Sequence, residues 1–380
     1  MLGVLLIFNK KADRKEKIQH PQSFTILPFS DDDESLLLSI VGQTSIGIEN
    51  TKLYESISKL FDGFIRASIM AIEARDPSTF GHSERVAKLT IALAKEVTYQ
   101  TSGPLSHKSF SSRDLKELEY AALLHDFGKI GVRESVLTKA KKLHDFEIHA
   151  IKDRLDLWRQ SIIIEYQQKI IELHTTNHKS LELDQKIQQL EEKHVKELQR
   201  VDHIFDLIIL NNEPSILSKT ELVEIESLLD LTFFRPNGEK DVILHSDQIQ
   251  RLSIPRGSLS ESERKEIELH VNITYQFLNQ IPWTSEFENI PSIAYAHHEK
   301  LDGSGYPLGK VSHQIPYAAK LMTVTDVFDA LVARDRPYKK AMPVKKALQV
   351  LQQEAQENKL DQELVALFQQ KKLYQAIGQY

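Results

Sequence analysis

The sequence contains no cysteine. Disulfides and thiolate metal sites are therefore excluded, and any metal must be held by histidine and carboxylate. It also lacks a basic excess. Lysine and arginine number 48 against 54 acids, for a net charge of -6, which argues against a dedicated DNA surface. No apolar run reaches the roughly 18 residues that a membrane span requires. Residues 1–8 are apolar, but the run is short and its lysines follow it, the wrong order for a signal peptide. They are expected to form a buried strand. What remains is 380 residues, 41% apolar and 27% charged, enough for two or three globular domains. The composition fits a cytoplasmic protein without DNA or membrane as a partner.

Residues 1–28 suggest two strands, the second near Phe24 to Leu27. Ser30 followed by Asp31, Asp32, Asp33 and Glu34 marks a helix start, with acids in the first turn. Apolar residues then continue through Leu36, Ile40, Ile46 and Ile48, and on through 54–74 as further helix. Residues 60–143 pattern as helices around one polar loop, 99–113. Residues 145–211 differ in being long and polar, with helices expected at 146–174 and 181–211 and a turn at 175–178. Leu183, Ile187, Leu190, His194, Leu198, Val201, Ile204 and Ile208 trace one stripe, the mark of an antiparallel hairpin. Residues 212–256 mix short helical and strand-like pieces around an Arg235-Pro236-Asn237-Gly238 turn. Beyond Ser258 the chain is helical again, and Ser260 with Glu263 predicts a capping box before the helix carrying His270.

Histidine and aspartate are concentrated where apolar helices meet. His125-Asp126 closes the apolar run 118–124 and precedes Phe127-Gly128-Lys129. His82 opens a helix whose inner face carries Val86, Leu89 and Leu93. His270 sits among Ile267, Leu269, Val271 and Ile273, and His297-His298 ends the run 293–296. Asp326 interrupts an otherwise apolar helix, where an isolated carboxylate is costly to bury, and Asp329 follows one turn later. Any one of these is more often a cap or a hydrogen-bonded core residue than a ligand. Together they point to a metal centre built from His82, His125, Asp126, His270, His297, His298 and Asp326. His107, His149, His174, His178, His194, His203 and His245 lie in polar surroundings and are expected at the surface.

Several segments, in order, resemble the HD-GYP family. They are residues 75–86 around His82, 124–132 around His125-Asp126, Leu269-His270, 297–307 from His297 to Pro307, 326–331 from Asp326, and Arg336-Pro337-Tyr338-Lys339. The resemblance implies an HD-superfamily helical fold, a metal centre and phosphodiesterase activity on cyclic di-GMP, giving pGpG, GMP or both in bacterial signalling. Residues 29–55 separately resemble the C-terminal end of a GAF sensor domain, about a third of one, too little for its ligand pocket. The expected architecture is mainly α. It has a small α/β GAF-like fragment at 1–56, a linker helix at 57–75, a catalytic domain at 76–144 plus 256–380, and a mostly helical insertion at 145–255. The insertion interrupts a segment that the family keeps continuous, between Leu137-Thr138 and Ser253. Ser78 stands where members with three metals carry glutamate, so two metals are expected.

An all-nitrogen-and-oxygen ligand set suits iron or manganese. Two ions sharing the Asp126 carboxylate lower the pKa of a water between them, supplying hydroxide near neutral pH for attack on phosphorus. His82, His125, Asp126 and Asp326 are assigned to one ion, and Asp126 bridges to His270, His297 and His298 on the other. Lys129, one turn beyond His125, is assigned to the substrate phosphate, and Arg336 and Lys339 to the second phosphate. Lys320 replaces an arginine common in the family, which weakens a bidentate contact there. Tyr306, in the glycine-rich loop 302–309, is positioned by the resemblance to stack on guanine or orient phosphate. That loop or the insertion is a candidate surface for a protein partner. Low-turnover cyclic-dinucleotide binding, and hydrolysis of another nucleotide, are the competing expectations. Residues 34–74 are expected to support a homodimer.

Overall fold

A computed structural model describes residues 5–7, 10–11, 15, 26–76, 79–176, 181–214, 216–333 and 341–378. The chain divides into two compact units, Met1–Ser68 and Ile69–Tyr380.

In the first unit, β1 (Lys10–Lys11) pairs antiparallel with β2 (Ile26–Leu27). Helix α1 runs without interruption over Asp31–Arg75, so no break separates residues 56 and 57. Its start is capped as expected: the Ser30 amide donates to Asp33 Oδ2 at 2.8 Å. Residues 5–7 depart from expectation. Leu5, Leu6 and Ile7 are exposed and form no strand. An apolar run is buried only if a partner surface exists, and the described residues of this unit are too few to supply one. Phe24 and Thr25 lie outside the described residues.

The second unit is helical. Helix α2 (His82–Thr98) buries Val86, Leu89, Leu93 and Val97 along one face. Helix α3 (Ser112–Leu124) is started by a Ser111–Asp114 capping box and packs on α2. A 3-10 turn, Phe127–Gly131, follows, then the short α4 (Glu134–Leu137). Helices α5 (Asp145–Thr176) and α6 (Leu181–Asn212) form the expected hairpin. Next come α7 (Lys219–Glu226), the antiparallel pair β3 (Thr232–Phe234) and β4 (Lys240–Val242), and α8 (Ser246–Leu252). The turn between the strands closes with Gly238 at φ 87°, a conformation glycine adopts without a Cβ clash. Helix α9 (Glu261–Leu278) begins with the Ser260–Glu263 capping box. Then come α10 (Ile290–Tyr295), α11 (Tyr317–Val332), α12 (Val344–Gln356) and α13 (Gln362–Gln370). Helix α11 is buried nearly all round, against α2, α10, α12 and α13, as expected of a central helix.

The segment from α5 to α8 has a hydrophobic core of its own. Ile151, Leu155 and Trp158 of α5 meet Val201, Ile204 and Ile208 of α6, with Ile225, Phe233, Ile243 and Leu252 closing it. The chain leaves and re-enters the scaffold at one place. Ser258 Oγ donates to Lys139 O at 3.1 Å, Lys139 Nζ lies 2.7 Å from Glu263 Oε1, and the Leu217 amide donates to Pro255 O at 3.1 Å. The excursion therefore leaves Asp126 and His270 adjacent rather than driving them apart.

Candidate metal centre

The His125-Asp126 pair is held by backbone geometry. Helix α3 ends at Leu124, and His125 Nδ1 donates to Ala122 O at 2.7 Å. A carbonyl can only accept, so the bond fixes the ring and aims Nε2 away from the helix. The same device recurs twice. His270 Nδ1 donates to Ile267 O, and His297 Nδ1 to Ala294 O, both at 2.6 Å. His82 uses a carboxylate instead, with Nδ1 2.8 Å from Asp329 Oδ2, while Arg85 Nε donates to Asp329 Oδ1 at 2.8 Å. Such outer partners orient histidines around metals.

Four Nε2 atoms then converge. His82 Nε2 lies 3.1 Å from Asp326 Oδ1 and 3.7 Å from Asp126 Oδ2. His125 Nε2 lies 3.3 Å from Asp126 Oδ2, and His270 Nε2 3.3 Å from Asp126 Oδ1. His297 packs edge-on against His125 at 4.8 Å between ring centres and lies 4.0 Å from His298. His298 approaches through Nδ1, 4.0 Å from Asp326 Oδ2. Two sets result, each with ligand atoms within 4.8 Å of one another: Asp126, His270, His297 and His298, and His82, His125 and Asp326. Asp126 turns one oxygen to each.

These residues fit metal ions. Nε2 of His270 and of His297 are buried and have no hydrogen-bond partner, an expense a fold does not normally tolerate. Burial, with the neighbouring His298 and His125, pushes His297 well below the usual imidazole range. Burial likewise lowers His298 to about 3, despite the opposing charge of Asp326. Both rings are thus neutral, as ligands must be. Burial alone would raise Asp126, but Lys129 and His125 outweigh it and hold the carboxyl well below its ordinary value. Asp326 is lowered in the same way, burial being overcome by the bond to His82. Burial would depress His82, yet its bonds to Asp326 and Asp329 lift it to about 9.

The docking of α9 on the turn after the pair depends on Gly128. A Cβ there would stand 1.9 Å from His270 O and 2.6 Å from Thr274 N. Thr274 Oγ1 donates to His125 O at 3.0 Å and accepts from the Gly128 amide at 2.8 Å. One residue thereby fastens α9, and with it His270, to the His125-Asp126 turn. Glu299 plays a similar part beside His298. Its buried carboxylate accepts from the amides of Leu308 and Lys310, both at 2.8 Å. This holds the loop 302–309 so that Tyr306 lies 4.7 Å from His298 between ring centres. Gly305 is needed there, because a Cβ would meet Lys300 N at 2.3 Å.

The remaining expected contacts divide. Lys129 Nζ lies 2.8 Å from Asp126 Oδ2 and 3.9 Å from Asp76 Oδ2. Burial would lower Lys129, but Asp126 and Asp76 raise it. Lys320 Nζ donates to Ser312 Oγ at 3.1 Å, and the residue lines a small cavity with Glu299, Thr323 and Asp361. Arg336, Lys339, Ser78 and His178 lie outside the described residues. Of the histidines expected at the surface, His107, His149, His174, His203 and His245 are exposed, whereas His194 is half-buried and stacks on Tyr166 at 4.3 Å. Sequence reasoning gave no role to Asp76, Thr274 or Glu299. Asp76 and Glu299 fall within the segments quoted above, a signal that could have found them; Thr274 does not.

A family model described as HD domain matches residues 79–206, and a second, also described as HD domain, matches 245–364. The chain is 41% identical over 97 residues to the 3'3'-cGAMP-specific phosphodiesterase 3 of Vibrio cholerae, covering 26% of this chain and 20% of that one. It is 34% identical over 155 residues to the cyclic di-GMP phosphodiesterase response regulator RpfG of Xanthomonas campestris, covering 40% and 37%. A cyclic di-GMP phosphodiesterase of Thermotoga maritima is 33% identical over 108 residues, 27% of each chain. The chain thus spans between about a fifth and two fifths of the length of these relatives. Among the described residues no helix is long and apolar enough to cross a membrane. With both segment matches, these relatives and the motif order in hand, the chain belongs to the HD-domain family and is of the HD-GYP type.

Proposed function

We propose that this protein hydrolyses the phosphodiester bonds of cyclic di-GMP, to pGpG, GMP or both, at a centre of two divalent metal ions, iron or manganese. The observation that carries this is the pair of ligand sets meeting at the two oxygens of Asp126. His82, His125 and Asp326 would hold one ion and His270, His297 and His298 the other, with Asp126 offering a carboxylate oxygen to each. When bound, the ions supply Lewis acidity and a nucleophile at neutral pH. The chain's own groups do the rest. Nδ1 hydrogen bonds keep four histidines aimed. Lys129, beside Asp126, carries the positive charge that meets the substrate phosphate. Tyr306, against His298, takes the face of a guanine. Arg336 and Lys339 receive the second phosphate.

Relatives are named for two cyclic dinucleotides, cyclic di-GMP and 3'3'-cGAMP, so the second is the competing substrate. The test is to incubate anaerobically purified, metal-analysed protein with each and with mononucleotides, and to separate products. Turnover of cyclic di-GMP supports the proposal. Preferred turnover of 3'3'-cGAMP moves the specificity, and tight binding without turnover makes the protein a receptor.

The domain assignment belongs to the same reading: 76–144 with 256–380 as the catalytic domain, 145–255 as the insertion, and 1–56 as the end of a GAF domain. The loop 302–309 or the insertion offers a face to a protein partner. Self-association through residues 34–74, in the cytoplasm, completes it.

A further inference from the structure

Helix α1 leaves a row of apolar side chains open to water. Ile46 is 60% exposed, Leu53 59%, Ile57 53%, Leu60 75% and Phe64 43%. Residues 46–60 are exposed on all sides, Ser45 aside, so nothing among the described residues covers them. Their spacing is not that of a surface helix resting on a globular core. From Ile46 the steps run four, three, four, three, four and three, through Asn50, Leu53, Ile57, Leu60 and Phe64 to Ala67. That is a heptad seam, with Ile46, Leu53, Leu60 and Ala67 at d and Asn50, Ile57 and Phe64 at a. The outward positions are polar at Thr51, Lys52, Glu55, Ser58, Lys59, Asp62 and Arg66, with Ile48 and Ile65 the exceptions, and Ile65 is buried within the chain itself. A seam that narrow fits another helix of the same kind.

We infer that α1 pairs with α1 of a second copy of this chain as a parallel, in-register, two-stranded coiled coil along residues 46–67. This rests on the self-association reading of residues 34–74 and adds to it the seam, the direction and the register.

Asn50 decides both direction and register. In a parallel pair without stagger, a positions face a positions, and the two Asn50 amides meet and hydrogen-bond. A single asparagine at a selects two strands in this way. In an antiparallel pair, a faces d. Every d position of this seam is apolar, so Asn50 would be buried without a partner. A parallel pair staggered by one heptad sets Asn50 against Ile57 or Gln43, and strips apolar layers from the ends. The second copy is favoured over an unrelated helix because the polar layer is matched by itself. The apolar residues nearer the start of α1 are a separate matter: Leu37, Leu38 and Val41 line an open cleft with Leu5, Leu6, Ile7 and Phe29.

The absence of native cysteine allows a clean test on the full chain. Ile46→Cys, Leu53→Cys and Leu60→Cys are made singly, with Glu55→Cys as the outward control. Each is oxidised with a glutathione redox pair and run on a non-reducing gel, and the native mass is measured by light scattering. Disulfide dimers at all three seam positions, with Glu55→Cys at background, are expected. An antiparallel pair can centre on one of the three at most. A native dimer that cross-links at one position or none overturns the seam and leaves self-association standing. A monomer at tens of micromolar overturns both.

Discussion

The scaffold that carries the histidine cluster and the segment from α5 to α8 bury polar groups in opposite ways. At the base of that segment, Lys142 is buried and donates to Leu252 O at 2.8 Å. Asn212 accepts from Lys142 N and Leu143 N, and Arg154 donates to Ile243 O and Gln248 Oε1. The unpaired atoms there among the described residues, His194 Nδ1, Asn211 Oδ1 and Ser253 Oγ, all lie outside both His/Asp sets. In the scaffold, the unpaired Nε2 atoms of His270 and His297 belong to one set and face one carboxylate. Buried polar groups that close on one another stabilise a fold. Buried polar groups held open toward a common point need something to fill it.

The most direct way to break this contrast is Asp126→Ala. Both sets lose the carboxylate they share, so bound metal by elemental analysis and hydrolysis of cyclic di-GMP should vanish together. An active, metal-free Asp126→Ala protein would refute the assignment. Asp329→Asn is the next step down. It weakens the anionic partner of His82 Nδ1 and the ion pair to Arg85 while leaving every ligand in place. Loss of such an outer partner should weaken metal binding roughly 10–100-fold, read by competition with a chelator. A change confined to thermal stability would make Asp329 a fold residue only.

The sequence carried most of the centre and little of what steadies it. His82, His125, Asp126, His270, His297, His298 and Asp326 stand out because each interrupts an apolar helical face, and a carboxylate such as Asp326 has few reasons to be there. Thr274 does not stand out. A threonine on a helix is ordinary, and its value lies in meeting His125 O and the Gly128 amide across a sequence gap of about 150 residues. Lys320 precedes Asp326 by six residues, which at about 100° per residue sets it about 120° around α11 from that carboxylate. Asp329, three residues beyond Asp326, falls on the same face and meets His82. The helical hairpin was legible from its stripe. The small β3–β4 pair that closes the insertion's core was less so, because three-residue strands leave little periodicity.

A graded test uses pH. In the metal-free protein His82 titrates near 9, while His298 titrates near 3 and His297 is also depressed. Between pH 7 and 9 only His82, of these three, must release a proton to bind metal. Affinity should rise about tenfold per pH unit over that window and level off above it, since one displaced proton gives unit slope. For stability the sign reverses. The folded pKa of His82 exceeds the unfolded value, so its contribution is full below about 6.5 and is lost as pH rises through 9. His298 acts oppositely, costing stability as pH falls below about 6.5 toward 3. Metal-free protein should therefore lose stability on both sides of neutrality. A proton-release slope near three would mean that His297 and His298 are also protonated before metal binds.

The smallest expected effect at the centre is the sharpest test of the insertion's independence. Ile151 is fully buried in the insertion's core. Ile151→Ala should cost the insertion roughly 2–5 kcal/mol, as for other large-to-small changes in cores. The chain has two tryptophans, Trp158 inside that core and Trp283 outside it. In a Trp283→Phe background, Trp158 fluorescence reports the insertion alone, and its denaturation midpoint should fall. Metal content and cyclic di-GMP turnover of the same protein, measured below that midpoint, should stay as they were. The ligands hang from α2, α3, α9, α10 and α11, and Lys139 meets Ser258 and Glu263 where the α5–α8 segment leaves and re-enters the scaffold. If turnover falls in step with the insertion's stability, the two cores are one cooperative unit and the contrast between them fails.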